Sequence, residues 1–413
     1  YLGLGFHRLY LYADDKDDPI VPLARRYPSD RLELRVRGDT LRREWSSLPS
    51  WRRLAMYAET EVQARQQLNC EHALAASRAE GVVFLLHLDS DELLHVPFEW
   101  APDDSVDAPA AAPADGLAKA CTPLAPWRRV LLPARAALRR HLARLDQLGA
   151  LQYTYLNHEA VPEQEESVDP FLSVSLFKRH PSQLPPRGLA AERAMRHWTG
   201  AAASGGQFFG FYTNGKSVVR ADYAPITTVA SVHEWTLPPA KFHLGFTNNA
   251  DLSSSPYVPH HRAQLDSACE AAVLHFAVCS FSVFWRKRWA ALGYASPNHR
   301  FRGVSGGLDQ RANALAVGRR RGEARELYAR QVMLADPSEA RRQVEAGVCV
   351  RIDAASAVVA ACREAILREG STVCVEIASG GGRSPGVEHG TRGSRGHVDS
   401  PQDASWHPQG PAS

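Results

Sequence analysis

The period of apolar positions changes along the chain, and each change marks an element. Alternation over residues 8–12 predicts a strand, residues 19–27 a helix, and residues 32–36 a second strand. A long helical stretch follows over 51–79 and is stopped by Gly81. The next seven residues, 82–88, form a near-continuous apolar run, as expected of a strand covered on both faces. Strand and helix patterns in alternation predict an α/β fold with a mostly parallel sheet flanked by helices.

Beyond Trp100 the pattern lapses. Ala, Pro and Asp dominate residues 101–126, which read as a flexible surface insertion. Helical periodicity returns over 127–148, and 151–155 reads as a strand. Two further strands are expected within 208–220 and 227–235, with Asn214-Gly215 as a turn signal, and the apolar stretch 269–289 is expected to pack back on the sheet. The organisation expected is a catalytic-type domain over 1–300, a peripheral helical segment over 301–375, and a disordered Gly/Ser/Pro tail over 376–413.

Composition narrows the functional classes. With 413 residues and 44% hydrophobic content, the chain can bury a substantial core. The 48 basic and 45 acidic residues leave +3, without a basic run to track a phosphate backbone, so nucleic acid is not an expected partner. Seven scattered cysteines contain no C-x-x-C spacing, and no apolar stretch reaches the length of a membrane span. The chain opens at Tyr1 inside an apparently folded segment, so a preceding strand and any N-terminal membrane anchor are expected to lie outside it.

Acidic residues gather where strands end. The 82–88 run leads directly into Asp89-Ser90-Asp91-Glu92, at the carboxyl edge where open α/β sheets bind ligands. An Asp-x-Asp pair in a tight loop can aim oxygen ligands at Mg²⁺ or Mn²⁺, which neutralises a diphosphate leaving group. A solvated acidic turn is the alternative. The first strand also ends in acid, at Asp14-Asp15-Lys16-Asp17-Asp18; Asp14 can serve a bound cofactor, or the loop can simply cap the helix after it.

Several strings occur in a set order: Gly5-Phe6-His7-Arg8-Leu9-Tyr10-Leu11-Tyr12 comes first, Gln66-Gln67-Leu68-Asn69-Cys70 precedes the Asp89–Glu92 loop, and Gly215-Lys216-Ser217-Val218-Val219-Arg220, Val232-His233 and Leu274-His275-Phe276 follow. Together they resemble family 92 and family 2-like glycosyltransferases of the GT-A fold. The resemblance spans about residues 1–292. It implies metal ligation by Asp91 with Asp89 at the metal or the donor ribose, Glu92 supporting them, and His275 or His233 as a further metal ligand. A histidine in an apolar run is otherwise a core residue. Lys216 and Arg220 share one strand face and can reach phosphates, or form a solvated face. Glu159, just after the 151–155 strand, is the candidate general base.

The activity so implied is inverting transfer of a sugar from a nucleotide-diphosphate donor, with UDP-galactose one such donor, to a glycan, glycoprotein or other hydroxyl acceptor. In a eukaryote the setting implied is the Golgi lumen. Competing readings are a non-catalytic relative that binds a sugar nucleotide or glycan, and a P-loop NTPase, because residues 210–217 fit G-x-x-x-x-G-K-[ST]. Val218 and Val219 continue that motif as a strand rather than a helix. A two-carboxylate glycoside hydrolase fits poorly, since Asp89 and Asp91 are too close to flank a sugar ring.

Overall fold

The computed structural model describes residues 1–99, 125–145, 150–161, 169–179, 215–222, 229, 232–233, 235, 243–245, 271–286 and 308–369. Most of the 101–126 insertion, the 376–413 tail and residues 208–214 lie outside these. No described helix is long and apolar enough to cross a membrane.

The fold is mixed α/β. Strands β1 (Leu9–Ala13) and β2 (Leu32–Val36) pair in parallel as a two-stranded sheet. Among the described residues the remaining strands form an eight-stranded sheet: β3 (Phe84–Leu86), β4 (Glu92–His95), β5 (Ala150–His158), β6 (Leu176–Lys178), β7 (Gly215–Arg220), β8 (His243–Gly245), β9 (Ala272–His275) and β10 (Cys349–Arg351).

At its centre is β5. Its first half pairs with β7 and β8, and its second half with β9 and β6. Pairing is parallel for β5–β8 and β5–β9, but antiparallel for β3–β7, β4–β9, β5–β6, β5–β7 and β6–β10. The sheet is therefore mixed, and the mostly parallel sheet expected from the apolar run at 82–88 is corrected. An apolar run does not set strand direction, nor does this one lie covered on both faces: β3 is only half-buried, and Val83 before it is exposed.

Side-chain alternation along β5 explains the two-sided core. Leu151, Tyr153 and Tyr155 pack with Leu138 and Leu145 of the Pro126–Leu145 helix, whereas Ala150 joins Cys70 and Leu74 of the Val62–Ala79 helix. A further cluster, around Phe177, Leu274 and Phe276, takes in Ile352 and Ala355 from the C-terminal segment. Full burial of a side chain such as Phe177 contributes about 1.5–3 kcal/mol. The C-terminal segment thus enters the sheet through β10 and the core through its last helix, Asp353–Glu369, rather than lying at the periphery.

Gly81 ends the Val62–Ala79 helix in the left-handed region, at φ 71°. Its N–H donates to Arg78 and that of Val82 to Ser77, the paired bonds of a Schellman cap, which turns the chain into β3. The helix expected over 51–79 is broken before this, into Trp51–Leu54, a 3₁₀ turn at Ala55–Tyr57, and Val62–Ala79.

Candidate active site

The acidic loop is locked by reciprocal bonds. The Glu92 N–H donates to the Asp89 carbonyl (3.2 Å), and Glu92 Oε2 accepts from the Asp89 N–H (2.8 Å). The same loop is tied to the end of β9, where the N–H of Phe276, the residue after the strand, donates to the Asp91 carbonyl over 2.9 Å.

Strand register then builds the centre. Across β4–β9–β5, Glu92 lies opposite His275, and His275 opposite Asn157, so the three side chains share one rung and one face. Asp91, Glu92 and His275 each offer a ligand atom, all within 4.8 Å of one another, and His275 Nε2 is 3.8 Å from Asp91 Oδ2. His275 Nδ1 bonds Asn157 Oδ1 (2.9 Å), and the Tyr155 ring stacks on the imidazole with centroids 4.7 Å apart. The Tyr155 hydroxyl donates to Glu92 Oε1 over 2.5 Å.

Two carboxylates and one imidazole, with ligand atoms within 4.8 Å of one another, could hold a divalent metal ion. The residues present fit such an ion. Burial and the neighbouring Asp89 push the Glu92 carboxyl up to about 7, against the pull of Lys216 and the Tyr155 hydroxyl.

Asp89 stands beside this triad. Its Oδ1 accepts from Gln66 Nε2 (2.8 Å) and its Oδ2 from Lys216 Nζ (3.0 Å). Burial raises its pKa, but the ammonium of Lys216, with His87 and His233 beside it, outweighs that and brings it to about 2. Lys216 is wholly buried; its Nζ also bonds the Val232 carbonyl at 3.3 Å and lies 3.8 Å from Glu92 Oε2. Its carboxylate partners hold its pKa up despite burial. His87, two residues before Asp89, bonds the Val232 carbonyl through Nδ1, and burial with nearby Lys216 lowers its pKa to about 3.

The other expected site residues are placed as follows. His233 bonds the Gly215 carbonyl through Nδ1 (2.9 Å) and meets the Tyr155 ring edge-on, beside the triad rather than in it. Arg220, at the far end of β7 opposite Phe84, is ion-paired with Asp222. Asp14 is clamped by the buried Arg65, at 2.8 and 2.5 Å. Glu159 is fully buried with Lys178, Nζ–Oε2 3.8 Å, and burial pushes it up to about 8. Lys216 and Ser217 lie within β7, not at a helix N-terminus, so the described part of the P-loop string lacks the backbone that motif needs.

The comparisons with known proteins fall on this framework. The chain is similar to a glycosyltransferase-like protein of Arabidopsis thaliana. The two are 27% identical over 160 residues, which is 39% of this chain and 27% of the plant protein, so the chain spans about a quarter of that relative's length. No protein-family model and no solved structure matches.

Sequence reasoning did not single out Tyr155, Asn157 or His87 as site residues. Tyr155 and Asn157 follow Tyr153 at period two, which puts them on one strand face, and His87 precedes Asp89 at the same interval. That interval was the available signal.

Proposed function

We propose that this chain carries a metal-assisted glycosyltransferase site that takes a nucleotide-diphosphate sugar as donor. The single observation that carries the reading is the Asp91–Glu92–His275 triad, with ligand atoms within 4.8 Å, at the end of an apolar strand. The distant glycosyltransferase-like relative supports it. Bound there, a divalent ion would neutralise the donor diphosphate and stabilise it as a leaving group.

The chain's own groups prepare the site for that donor. Lys216 and Gln66 fix the Asp89 carboxylate, which stays partly exposed and ionised and so presents an acceptor to a donor ribose hydroxyl. Because Lys216 is spent on Asp89 and Val232 with no exposed surface, it acts on the acidic loop and not on the phosphates directly. Tyr155 and the Asp89 N–H together hold Glu92 in place.

The test offers the purified protein a panel of nucleotide sugars, with Mn²⁺ or with chelator, and follows released nucleoside diphosphate. Release from one donor that needs metal and is lost in Asp91→Ala supports the reading and names the sugar. Donor binding without release in any acceptor mixture favours a non-catalytic sugar-nucleotide binder instead. Neither binding nor release sinks both.

A further inference from the structure

We propose that Asn157 is a positioning residue that sets the proton of His275, so that the imidazole presents Nε2 as a metal ligand. The proposal rests on reading Asp91, Glu92 and His275 as a cation site.

A carboxamide oxygen only accepts hydrogen bonds. The 2.9 Å contact between Asn157 Oδ1 and His275 Nδ1 is a hydrogen bond only with the ring proton on Nδ1, which leaves the lone pair on Nε2. Nε2 is the atom that faces Asp91 Oδ2 at 3.8 Å. The opposite tautomer would put an N–H there and block ligation. Metal-binding histidines generally depend on an acceptor of this kind at their other nitrogen.

Three further features hold the ring in this pose. Asn157 and His275 are register partners on adjacent parallel strands, so the bond is built into the sheet rather than into a loop. Both residues are buried, which limits competition from water for Nδ1. Tyr155 stacks on the imidazole at an interplanar angle of 22° and fixes the ring plane, while its hydroxyl binds Glu92. Tyr155 and Asn157, two residues apart on β5, thus steer two of the three triad members.

The test uses the metal-free full chain labelled with ¹⁵N in histidine, with His275→Asn to assign the His275 ring signals, together with Mn²⁺ titration of the wild type, Asn157→Leu and Asn157→Asp. The expected wild-type ring carries its proton on Nδ1 and none on Nε2. Asn157→Leu, similar in size but without an acceptor, is expected to weaken Mn²⁺ binding by ~10–100-fold. Asn157→Asp keeps an oxygen acceptor and is expected to retain Mn²⁺ binding; loss with Leu and retention with Asp, two side chains of similar size, is a contrast that a merely space-filling role would not show.

A wild-type ring protonated on Nε2 overturns the proposal, and so does an Asn157→Leu protein that binds Mn²⁺ like the wild type. The wild-type ring spectrum decides the tautomer even if Asn157→Leu fails to fold. A wild type with the expected Nδ1–H ring but no Mn²⁺ binding overturns the cation reading and leaves the ring assignment standing, which separates the two failures.

Discussion

Lys216 Nζ donates to Asp89 Oδ2 over 3.0 Å, from a side chain with no exposed surface. This buried cation is the counter-charge of the acidic loop. Lys216→Met is expected to destabilise the fold by about 3 kcal/mol, because removing one partner of a buried pair leaves the other uncompensated. Urea denaturation at neutral pH checks this.

The same pair fixes an acid response. Asp89 titrates at about 2 in the fold, below its ordinary 3.8, so the stabilisation it supplies is complete above pH 4 and is lost as pH falls toward 2. In Lys216→Met that loss should largely vanish. Urea midpoints of wild type and variant at pH 5 and pH 2.5 should therefore converge at the lower pH; a constant gap would mean that Lys216 stabilises by packing alone.

Glu159 gives the opposite sign. Burial raises it to about 8, so the folded chain binds a proton that the unfolded chain has lost above about 4.5, and stability falls as pH rises between those values. Glu159→Gln should flatten that fall, measured as the change in urea midpoint from pH 5 to pH 8.5. The same slope in variant and wild type would show that Glu159 stays ionised beside Lys178.

Within the acidic loop the two aspartates should behave differently. Asp91 belongs to the ligand triad, whereas both oxygens of Asp89 hold hydrogen bonds from Gln66 and Lys216. Mn²⁺ at 100 times its dissociation constant should stabilise the wild type by about 2.7 kcal/mol. Asp91→Asn and His275→Ala should abolish the thermal shift, and Asp89→Asn should keep part of it. Equal loss in Asp89→Asn and Asp91→Asn would place Asp89 among the ligands.

Gly215 is required by space. A Cβ there would lie 1.6 Å from the Tyr153 carbonyl oxygen, across the β5–β7 pair. Gly215→Ala should cost ~3 kcal/mol through forced strand separation, and should also move the neighbouring Lys216, seen as weaker Mn²⁺ binding in whatever fraction folds.

Local chemistry made part of this site legible in the sequence. Asp89, Asp91 and Glu92 fall within four consecutive residues, directly after an apolar run, and Gly81 announces the helix end that aims that run. What could not be read was the pairing of distant segments. That Glu92 lies opposite His275, and His275 opposite Asn157, depends on strand register, and Asn157 in an apolar strand looks like packing until its neighbour is known. Strands β6 and β10, three residues each, are too short to show a period. Lys216, a charge expected to reach phosphates, turns inward for the same reason: it lies against Asp89, contributed by a distant part of the chain.

Strand β5 bonds to four other strands, and it also carries Tyr155 and Asn157. A site suspended from the most heavily braced strand has little freedom to flex independently: its floor opens only when the sheet itself comes apart. Amide hydrogens over 153–157 should then be among the slowest to exchange, and their exchange would time the survival of the metal pocket and of the whole fold with a single clock.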